Sequence, residues 1–340
     1  MGSALPGAPF GTEDLLDLID RRFDTDLRRR GRTLARALGI DQRHICRSFQ
    51  HRREGPKAFC GNAELAAEAV RKALDDAGLC VSDLTYLIGH TATPAQPLPP
   101  NIAQVAHLLG YTGPYAEMRQ ACTGFANALV MASGLLADDA PGPVAVVGSE
   151  TGSVFFDPAQ ADTDRGQLVN LIQMGDGAAA IVLGPGISQE RPALVSCYFG
   201  SIGCGRAASM KMTHGGSDAP APPDGLAVFE HDFAAIGKSG FDLFDAGMAA
   251  AADLGIDLAA VRWVIPHQAN GRLADLLAPR LGIPSGNIFI NADRVGNTGS
   301  AAIWLALDEA RKTMAPGEMS LALGAEATKY MFGGFLYQHV

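Results

Sequence analysis

Three short stretches of the sequence carry side chains that could do chemistry together: Cys122 in ACTGF, His267 in VIPHQANGR and Asn297 in VGNTGSAA. A cysteine thiolate can attack an acyl group and hold it covalently. Neutral histidine and asparagine side chains can stabilise a developing oxyanion by hydrogen bonding. Each residue also has an ordinary explanation, because most buried cysteines are inert, single histidines at strand ends are mostly structural, and asparagine caps helices.

Cys122 precedes a long apolar stretch with helical spacing, residues 123–137. The positive end of a helix dipole favours the thiolate of a cysteine at the helix N-terminus. We therefore expect the pKa of Cys122 to be lowered by about 1.5 units, which would make about half of it thiolate at pH 7.

The composition limits the possible functions. The chain has 340 residues, 47% of them hydrophobic, and a formal net charge of −9, which argues against general nucleic-acid binding. No apolar run approaches the ~18 residues of a membrane span, and the first residues do not look like a secretory signal. The six cysteines form no C-x-x-C pair or zinc-like spacing, so we expect no metal, no disulfide framework and a cytoplasmic location.

Strand and helix signals alternate along the chain. Amphipathic or apolar helical patterns cover 63–79 and 101–110, each with a glycine at its end. Short buried-strand patterns cover 84–90, 143–150 and 178–184. This alternation predicts an α/β sandwich with a largely parallel sheet.

The second half of the sequence weakly repeats the first. LTYLIGHT corresponds to VRWVIPHQ, ACTGFANAL to GNTGSAAIWLAL, and PVAVVGSET to SLALGAEAT. The three segments occur in the same order in the two halves of the chain. We infer a duplicated unit of about 150 residues with pseudo-twofold symmetry. It would place Cys122 and Asn297 at equivalent helix starts, and His90 and His267 at equivalent strand ends, where sites of α/β proteins gather.

These motifs resemble those of the thiolase-fold condensing enzymes, and among them most closely β-ketoacyl-acyl carrier protein synthase III. That family has its nucleophile in A-C-[ST]-G-F, its histidine in H-Q-A-N-x-R, here 267–272, and its asparagine in G-N-T-[SG]-A-A, here 296–302. GSALP at 2–6 and MGDGAAAIVLG at 174–184 match two further family stretches. The resemblance covers almost the whole chain.

The resemblance implies a thiolase-like fold, in which duplicated α/β halves form a layered α-β-α-β-α sandwich. The halves here would be residues 1–185, with the nucleophilic cysteine, and residues 186–340, with the histidine and asparagine. It also implies a homodimer without a bound cofactor. Its substrates would be acyl thioesters of coenzyme A or of the phosphopantetheine arm of an acyl carrier protein.

The roles implied by the resemblance follow the chemistry of the side chains. Cys122 would take the acyl group, and His267 and Asn297 would stabilise the enolate left when a malonyl-type thioester loses CO2. The enolate would attack acyl-Cys122 in a Claisen condensation. The N–H of Cys122 and one N–H of a glycine loop near the C-terminus would bind the oxyanion.

Further residues are candidates for binding the substrate or its carrier. Asn270 would orient its neighbours, and Arg272 would hold the phosphate of a carrier arm unless it is simply solvated. Arg280 and the arginines at 28–30 would face an acidic carrier protein. The alternative for the arginine run is a solvated helix face.

The chain departs from the family in its C-terminal loop, where EATKYMFGG replaces a triple glycine followed by an aromatic residue. The glycines are missing around 328–330 or displaced to Gly333 and Gly334. Glu326 and Lys329 in this segment would form a surface ion pair or alter the pocket.

Two further departures lie near the N-terminus. Thr33 or Leu34 stands where the family often has a tryptophan that stacks on adenine, which favours donors delivered on a carrier protein. The family strand before GSxLP is shortened, as if the start were trimmed. Together these departures suggest polyketide or other specialised metabolism.

Two other functions stay open. In the first, the enzyme passes the acyl group from Cys122 to a hydroxyl or amine without decarboxylation; relatives of that kind often have aspartate at the asparagine position, so Asn297 favours carbon–carbon bond formation. In the second, the chain is a non-catalytic partner subunit. The altered C-terminal loop motivates this second possibility, and the intact cysteine, histidine and asparagine argue against it.

Overall fold

Strands and helices follow one another along the chain. The computed structural model describes residues 1–49, 57–58, 60–137, 142–186, 190–221 and 227–340. The strands are β1 Gly2–Ala4, β2 Phe10–Gly11, β3 Gln42–Arg43, β4 Arg47–Ser48, β5 Lys57–Ala58, β6 Tyr86–His90, β7 Tyr115–Met118, β8 Val144–Glu150, β9 Gly177–Leu183, β10 Ala193–Ser201, β11 Met210–Met212, β12 Phe229–His231, β13 Val261–Pro266, β14 Met319–Glu326 and β15 Met331–Gln338. The α-helices are α1 Thr12–Phe23, α2 Arg28–Leu38, α3 Asn62–Ala77, α4 Asn101–Leu109, α5 Gly124–Leu135, α6 Arg165–Gln173, α7 Phe233–Asp253, α8 Leu273–Leu281, α9 Ala292–Val295 and α10 Ala302–Ala310.

The elements predicted from hydrophobic periodicity are confirmed as α3, α4, β6, β8 and β9. Helices α3 and α4 end at Gly78 and Gly110, whose φ angles of 67° and 71° lie in the left-handed region that glycine adopts without strain. No helix in the described part of the chain is both long and apolar enough to cross a membrane.

Two mixed sheets form the framework. The first has the strand order β1-β9-β8-β6-β7 and the second the order β10-β15-β14-β13. Only the pairs β6–β7, β6–β8 and β13–β14 are parallel among the strand pairs of these two sheets. The expectation of a largely parallel sheet is therefore wrong. One reason is the short turn between β14 and β15, because so short a connection can only join antiparallel neighbours.

Helices α5 and α10 lie between the two sheets and contact strands of both. Their apolar side chains face two covered surfaces, which explains why both helices are hydrophobic nearly all round. Phe125 of α5, Trp304 of α10 and Phe335 of β15 are fully buried here, with ring centroids 5.4–5.8 Å apart.

The outer faces of the sheets are covered by other helices. Helices α3 and α4 pack on the first sheet, and α7 and α8 pack on the second. The result is the layered α-β-α-β-α arrangement expected from the family resemblance.

The internal repeat is visible in the order of the elements. In the first half, β6, α5, β8 and β9 occur in this order, with other elements between some of them. In the second half, β13, α10, β14 and β15 occur in the corresponding order. In each set the first and third elements are parallel strands, and the last strand returns antiparallel. The carboxyl ends of β6, β8, β13 and β14 and the beginnings of α5 and α10 therefore supply the residues of the candidate site.

Candidate active site

Cys122 lies in the turn just before α5 and is partly buried. It lines a narrow cavity together with Asn297. The same cavity is lined by a carboxylate from the end of β8, Glu150, and by an imidazole from β12, His231. A thiol and a neutral side-chain amide from the two halves of the chain thus share one cavity.

The thiol of Cys122 is not activated in this structure. Burial raises its pKa well above the ordinary value, and the carboxylates of Glu326 and Glu150 raise it further. The expected lowering of this pKa by the dipole of α5 is therefore wrong. The main reason is the burial of the thiol, and the second is a negative charge placed at the positive end of the helix.

That charge belongs to Glu326, the last residue of β14, which is only 2% exposed. The N–H of Thr123 donates to Glu326 Oε2 at 2.9 Å, and the hydroxyl of Thr123 donates to the same oxygen at 2.8 Å. The hydroxyl of Thr328 donates to the other carboxylate oxygen. Glu326 thus caps the turn that carries the nucleophile.

The C-terminal segment decides between the alternatives for its charges and glycines. Lys329 donates to the backbone carbonyl of Arg206 rather than pairing with Glu326, so the expected surface ion pair is not formed. Residues 327–330 form the turn between β14 and β15, and Tyr330 there has a φ of 57°. Gly333 and Gly334 lie within β15, away from this turn.

Glu150 makes the matching contacts in the other half of the site. The N–H and the hydroxyl of Ser300 donate to its Oε2 at 3.1 and 2.8 Å. The N–H of Ala92 donates to its Oε1 at 3.1 Å, and the hydroxyl of Thr93 donates to the same oxygen. Each half of the chain therefore supplies a buried glutamate to the turn of the other half that carries Cys122 or Asn297.

The backbone of Asn297 is held by hydrogen bonds to two neighbouring residues. Its N–H donates to the carbonyl of Gln173 at 2.8 Å, and its carbonyl accepts from Gly175 N–H at 3.0 Å. Its Oδ1 accepts from Gly299 N–H at 3.1 Å. Because the oxygen is occupied in this way, the side-chain NH2 is left as the group that can donate into the cavity.

Gly175 permits the close packing of this turn. A Cβ at that position would overlap the carbonyl oxygen of Val295. We expect Gly175→Ala to lower the free energy of unfolding by about 2 kcal/mol and to displace Asn297. Urea unfolding checks this, with Gly184→Ala as the control, since a Cβ there meets no atom within 4 Å. Equal stability of the two variants would contradict the tight packing.

His267 follows β13 directly and is 6% exposed. The backbone N–H of His267 donates to the carbonyl of Leu323 in β14 at 2.9 Å. Burial lowers the pKa of its imidazole to about 4, so the ring is neutral at pH 7. Nδ1 has no hydrogen-bond partner within the described ranges. Because buried N–H groups without acceptors are rare, this favours the tautomer with its proton on Nε2.

The three candidate catalytic residues are joined through their neighbours. The side-chain amide of Gln173 donates to the carbonyl of Ala269 at 2.6 Å, which ties the His267 motif to the Asn297 turn. The hydroxyl of Ser300, whose proton is donated to Glu150, also lies 3.3 Å from the carbonyl of Gln120, which brings that turn against the Cys122 turn.

The candidate binding residues lie outside the lining of this cavity. Asn270 Oδ1 accepts from the N–H of Arg272 at 2.9 Å and so closes the turn before α8. The side chain of Arg280 donates from Nε to Asp245 Oδ1 at 2.7 Å and lies over the ring of Phe241. The charge of Arg280 is thus already matched within the chain.

The arginine run is also partly neutralised. Arg28 pairs with Asp17 at 2.5 Å, and Arg30 pairs with Asp162 at 3.0 Å. These contacts agree with a solvated helix face and leave less free charge for a partner.

Sequence reasoning missed several residues of the site, above all Glu150, His231 and Gln173. The internal repeat contained a signal for the first of them. Aligning GSET with GAEAT places Glu150 opposite Glu326. His231 comes from a short strand of a two-stranded sheet and had no comparable signal.

Comparison with known protein families extends the similarity beyond the three motifs. Residues 116–203 match the family described as 3-oxoacyl-[acyl-carrier-protein (ACP)] synthase III, and residues 251–336 match its C-terminal part. The chain is 35% identical to β-ketoacyl-[acyl-carrier-protein] synthase III 3 of Streptomyces coelicolor, over 94% of this chain and 90% of that protein. It is 33% identical to 3-oxopimeloyl-[acyl-carrier-protein] synthase of Rhodothermus marinus, over 86% and 82% of the two chains.

Solved structures show the same architecture. The tetronic acid condensing enzyme AbyA1 superposes with a TM-score of 0.86 at 27% identity, covering 99% of this chain and 98% of that chain. The priming β-ketosynthase of the R1128 polyketide biosynthetic pathway superposes with a TM-score of 0.78 at 25% identity, covering 99% and 94%.

Proposed function

The chain belongs to the 3-oxoacyl-[acyl-carrier-protein] synthase III family of condensing enzymes, and from that premise we propose that it joins an acyl group held on Cys122 to a malonyl-type thioester by decarboxylative Claisen condensation. The observation that supports this proposal most is the pairing of Cys122 with the oriented amide of Asn297 on one cavity. His267 is not among the residues that line this cavity, and we propose that its neutral imidazole, tied to the Asn297 turn through Gln173, supplies the second donor.

In the first half-reaction, the sulfur of Cys122 attacks the carbonyl carbon of an acyl thioester. The carbon–sulfur bond to the donor breaks, and the proton of the Cys122 thiol ends on the departing thiol. The tetrahedral oxyanion forms beside the N–H of Cys122, which donates to it.

In the second half-reaction, a malonyl-type thioester loses CO2, and its electron pair forms an enolate. The Nε2–H of His267 and the side-chain NH2 of Asn297 donate to the enolate oxygen. The enolate carbon attacks the carbonyl of acyl-Cys122 and the Cys122 sulfur leaves, taking a proton from solvent. We propose that no cofactor is needed, because the thioesters and these side chains supply every step.

The substrates are proposed to come from polyketide or related specialised metabolism. The similarity to a priming ketosynthase of a polyketide pathway and to a tetronic acid condensing enzyme supports this. Thr33 or Leu34 stands in place of the stacking tryptophan, and the hydroxyl of Thr33 donates to the carbonyl of Arg29. We therefore favour acyl groups delivered on an acyl carrier protein over coenzyme A thioesters, with Asn270, Arg272 and Arg280 near the approach of the carrier.

Two further proposals concern the state of the enzyme. We propose a homodimer, as the family resemblance implies. We also propose a cytoplasmic location, because the six cysteines are free and the nucleophile has to stay reduced.

One observation favours a second function, acyl transfer to a hydroxyl or amine. The negative charges of Glu326 and Glu150 act on Cys122, and they would also repel the carboxylate of a malonyl group. An uncharged alcohol or amine meets no such repulsion.

A two-stage experiment tests these functions. The protein is incubated with acyl carrier-protein and acyl coenzyme A donors, and the peptide containing Cys122 is examined by mass spectrometry. We expect an acyl adduct that Cys122→Ala abolishes. Carboxyl-labelled malonyl donor is then added. Release of labelled CO2 with a β-keto product supports condensation, and product formation without CO2 supports acyl transfer. Absence of any adduct would refute both.

A further inference from the structure

Two cysteines outside the lining of the candidate active site lie against each other. The sulfurs of Cys46 and Cys60 are 2.7 Å apart, and both residues are free thiols. A disulfide has a sulfur–sulfur distance of about 2.05 Å, so the two sulfurs have to approach by only ~0.7 Å to form that bond. Among the described residues, these are the only two thiols in hydrogen-bond contact with each other. The geometry for a covalent bond between them is thus nearly complete.

The short hairpin β4–β5 brings this pair together. Arg47 of β4 is paired with Ala58 of β5 in antiparallel register. Cys46 directly precedes β4, and Cys60 follows β5 after one residue. Antiparallel pairing sets the start of one strand beside the end of the next, so the two cysteines meet at the same end of the hairpin. Their contact therefore follows from backbone pairing and not from side-chain placement alone.

The two thiols differ in their access to solvent. Cys46 is fully buried, and its backbone N–H donates to Asp176 Oδ2 at 2.6 Å, which holds it against the residue before β9. Cys60 is only partly buried. The hydrogen bond from the Cys46 thiol also lowers the pKa of Cys60, which favours its thiolate. A small oxidant therefore reaches Cys60 first, and Cys46 stands behind it as the resolving thiol.

We propose that Cys46 and Cys60 form a redox-modification site, which a low-molecular-weight disulfide such as glutathione disulfide converts reversibly into an intramolecular disulfide. The sulfur of Cys60 attacks one sulfur of the oxidant, and one glutathione thiolate leaves with the electron pair of the broken bond. The sulfur of Cys46 then attacks Cys60 in this mixed disulfide, and a second glutathione leaves with the proton of the Cys46 thiol. Two protein thiols are oxidised, and one glutathione disulfide is reduced to two glutathione molecules.

The disulfide should stabilise the fold. It would join residues 14 positions apart and so restrict the unfolded chain. The folded side of the bond is already held in place, because the carboxylate of Asp176 accepts from the N–H of Cys46 and also from the N–H of Ser153 at 3.0 Å. The bond should last only while oxidant is in excess, since a reducing cytoplasm returns such pairs to thiols.

Mass spectrometry of the full-length chain tests the site directly. The reduced parent is exposed to increasing glutathione disulfide at constant total glutathione and digested without reductant. The exposed thiol of Cys80 serves as the internal reference. We expect the Cys46 and Cys60 peptides to be joined with loss of two hydrogen atoms, at a concentration at least about tenfold below that which attaches glutathione to Cys80. Dithiothreitol should restore both thiols.

Two variants separate the pair from the other thiols. Cys60→Ser should give no such joined peptides, and Cys80→Ser should form the disulfide as readily as the parent does. Attachment of glutathione to Cys60 without closure onto Cys46 would overturn the proposal. So would two unchanged thiols at concentrations that modify Cys80 in the same sample.

Urea unfolding gives a second readout, and neither readout requires acylation of Cys122. We expect the oxidised parent to unfold at about 0.5 to 1 M higher urea than the reduced parent, as a ring of this size predicts. Cys60→Ser treated in the same way should show no shift. A parent that carries the disulfide but unfolds at the same or a lower urea concentration would contradict the nearly complete geometry on which the proposal rests.

Discussion

Replacing His267 with alanine is expected to lower the condensation rate by about 10²- to 10³-fold, the usual cost of losing one preorganised donor to an oxyanion. Acylation of Cys122 should change far less, because its oxyanion uses the N–H of Cys122 instead. Single-turnover acylation and the subsequent condensation are measured separately by mass spectrometry. Asn297→Ala should show the same split.

The exposed His107 offers a matched control, since His107→Ala leaves the site untouched. Equal losses of acylation and condensation in His267→Ala would contradict the assignment of His267 to the enolate. Retention of full condensation would contradict it as well.

The stability of His267→Ala should also depend on pH differently from that of the parent protein. The pKa of His267 is about 4 in the folded protein and about 6.5 in an unfolded chain. As pH falls below about 6.5, the unfolded state therefore binds a proton at His267 before the folded state does. This difference lowers the free energy of unfolding by roughly 2 kcal/mol at pH 5 relative to pH 7. Urea unfolding at both pH values should show a smaller loss of stability in His267→Ala than in the parent.

Replacing Glu326 with glutamine is expected to lower the pKa of Cys122 and to raise its alkylation rate at neutral pH about tenfold. The thiolate is the reactive form, and Glu326 is a like charge that disfavours it. Glutamine is nearly isosteric: its oxygen can accept from Thr123, and its NH2 can donate to the hydroxyl of Thr328. The measurement is the pH profile of iodoacetamide alkylation at Cys122.

Glu13→Gln is the matched control, because Glu13 is an exposed residue that pairs with Arg32 on α2. Its alkylation profile should equal that of the parent. An unchanged profile in a folded Glu326→Gln protein would show that the carboxylate does not set the reactivity of the thiol.

The sequence was most informative where chemistry and periodicity are local. The Cys122, His267 and Asn297 motifs, the repeat and the buried strands could all be identified without coordinates. The reactivity of Cys122 could not, because the helix-dipole argument considers only its own helix. Burial of the thiol and the charge of Glu326 together reverse the expected shift, and Glu326 lies 203 residues after the hydrogen-bonded Thr123. Of the two alternatives for Glu326, the surface ion pair with Lys329 is not formed, because the end of β14 is buried between the halves, and sequence proximity does not show that.

The exchange of glutamate contacts between the two halves of the chain also has an evolutionary meaning. Glu150 bonds the turn of the second half through Ser300, and Glu326 bonds the turn of the first half through Thr123. If the repeat records a gene duplication, its single-unit ancestor had one such glutamate and one such turn, and the contact had to run between two subunits. Fusion made this exchange intramolecular, and the two turns were then free to diverge, one to carry a nucleophile and the other to carry an amide.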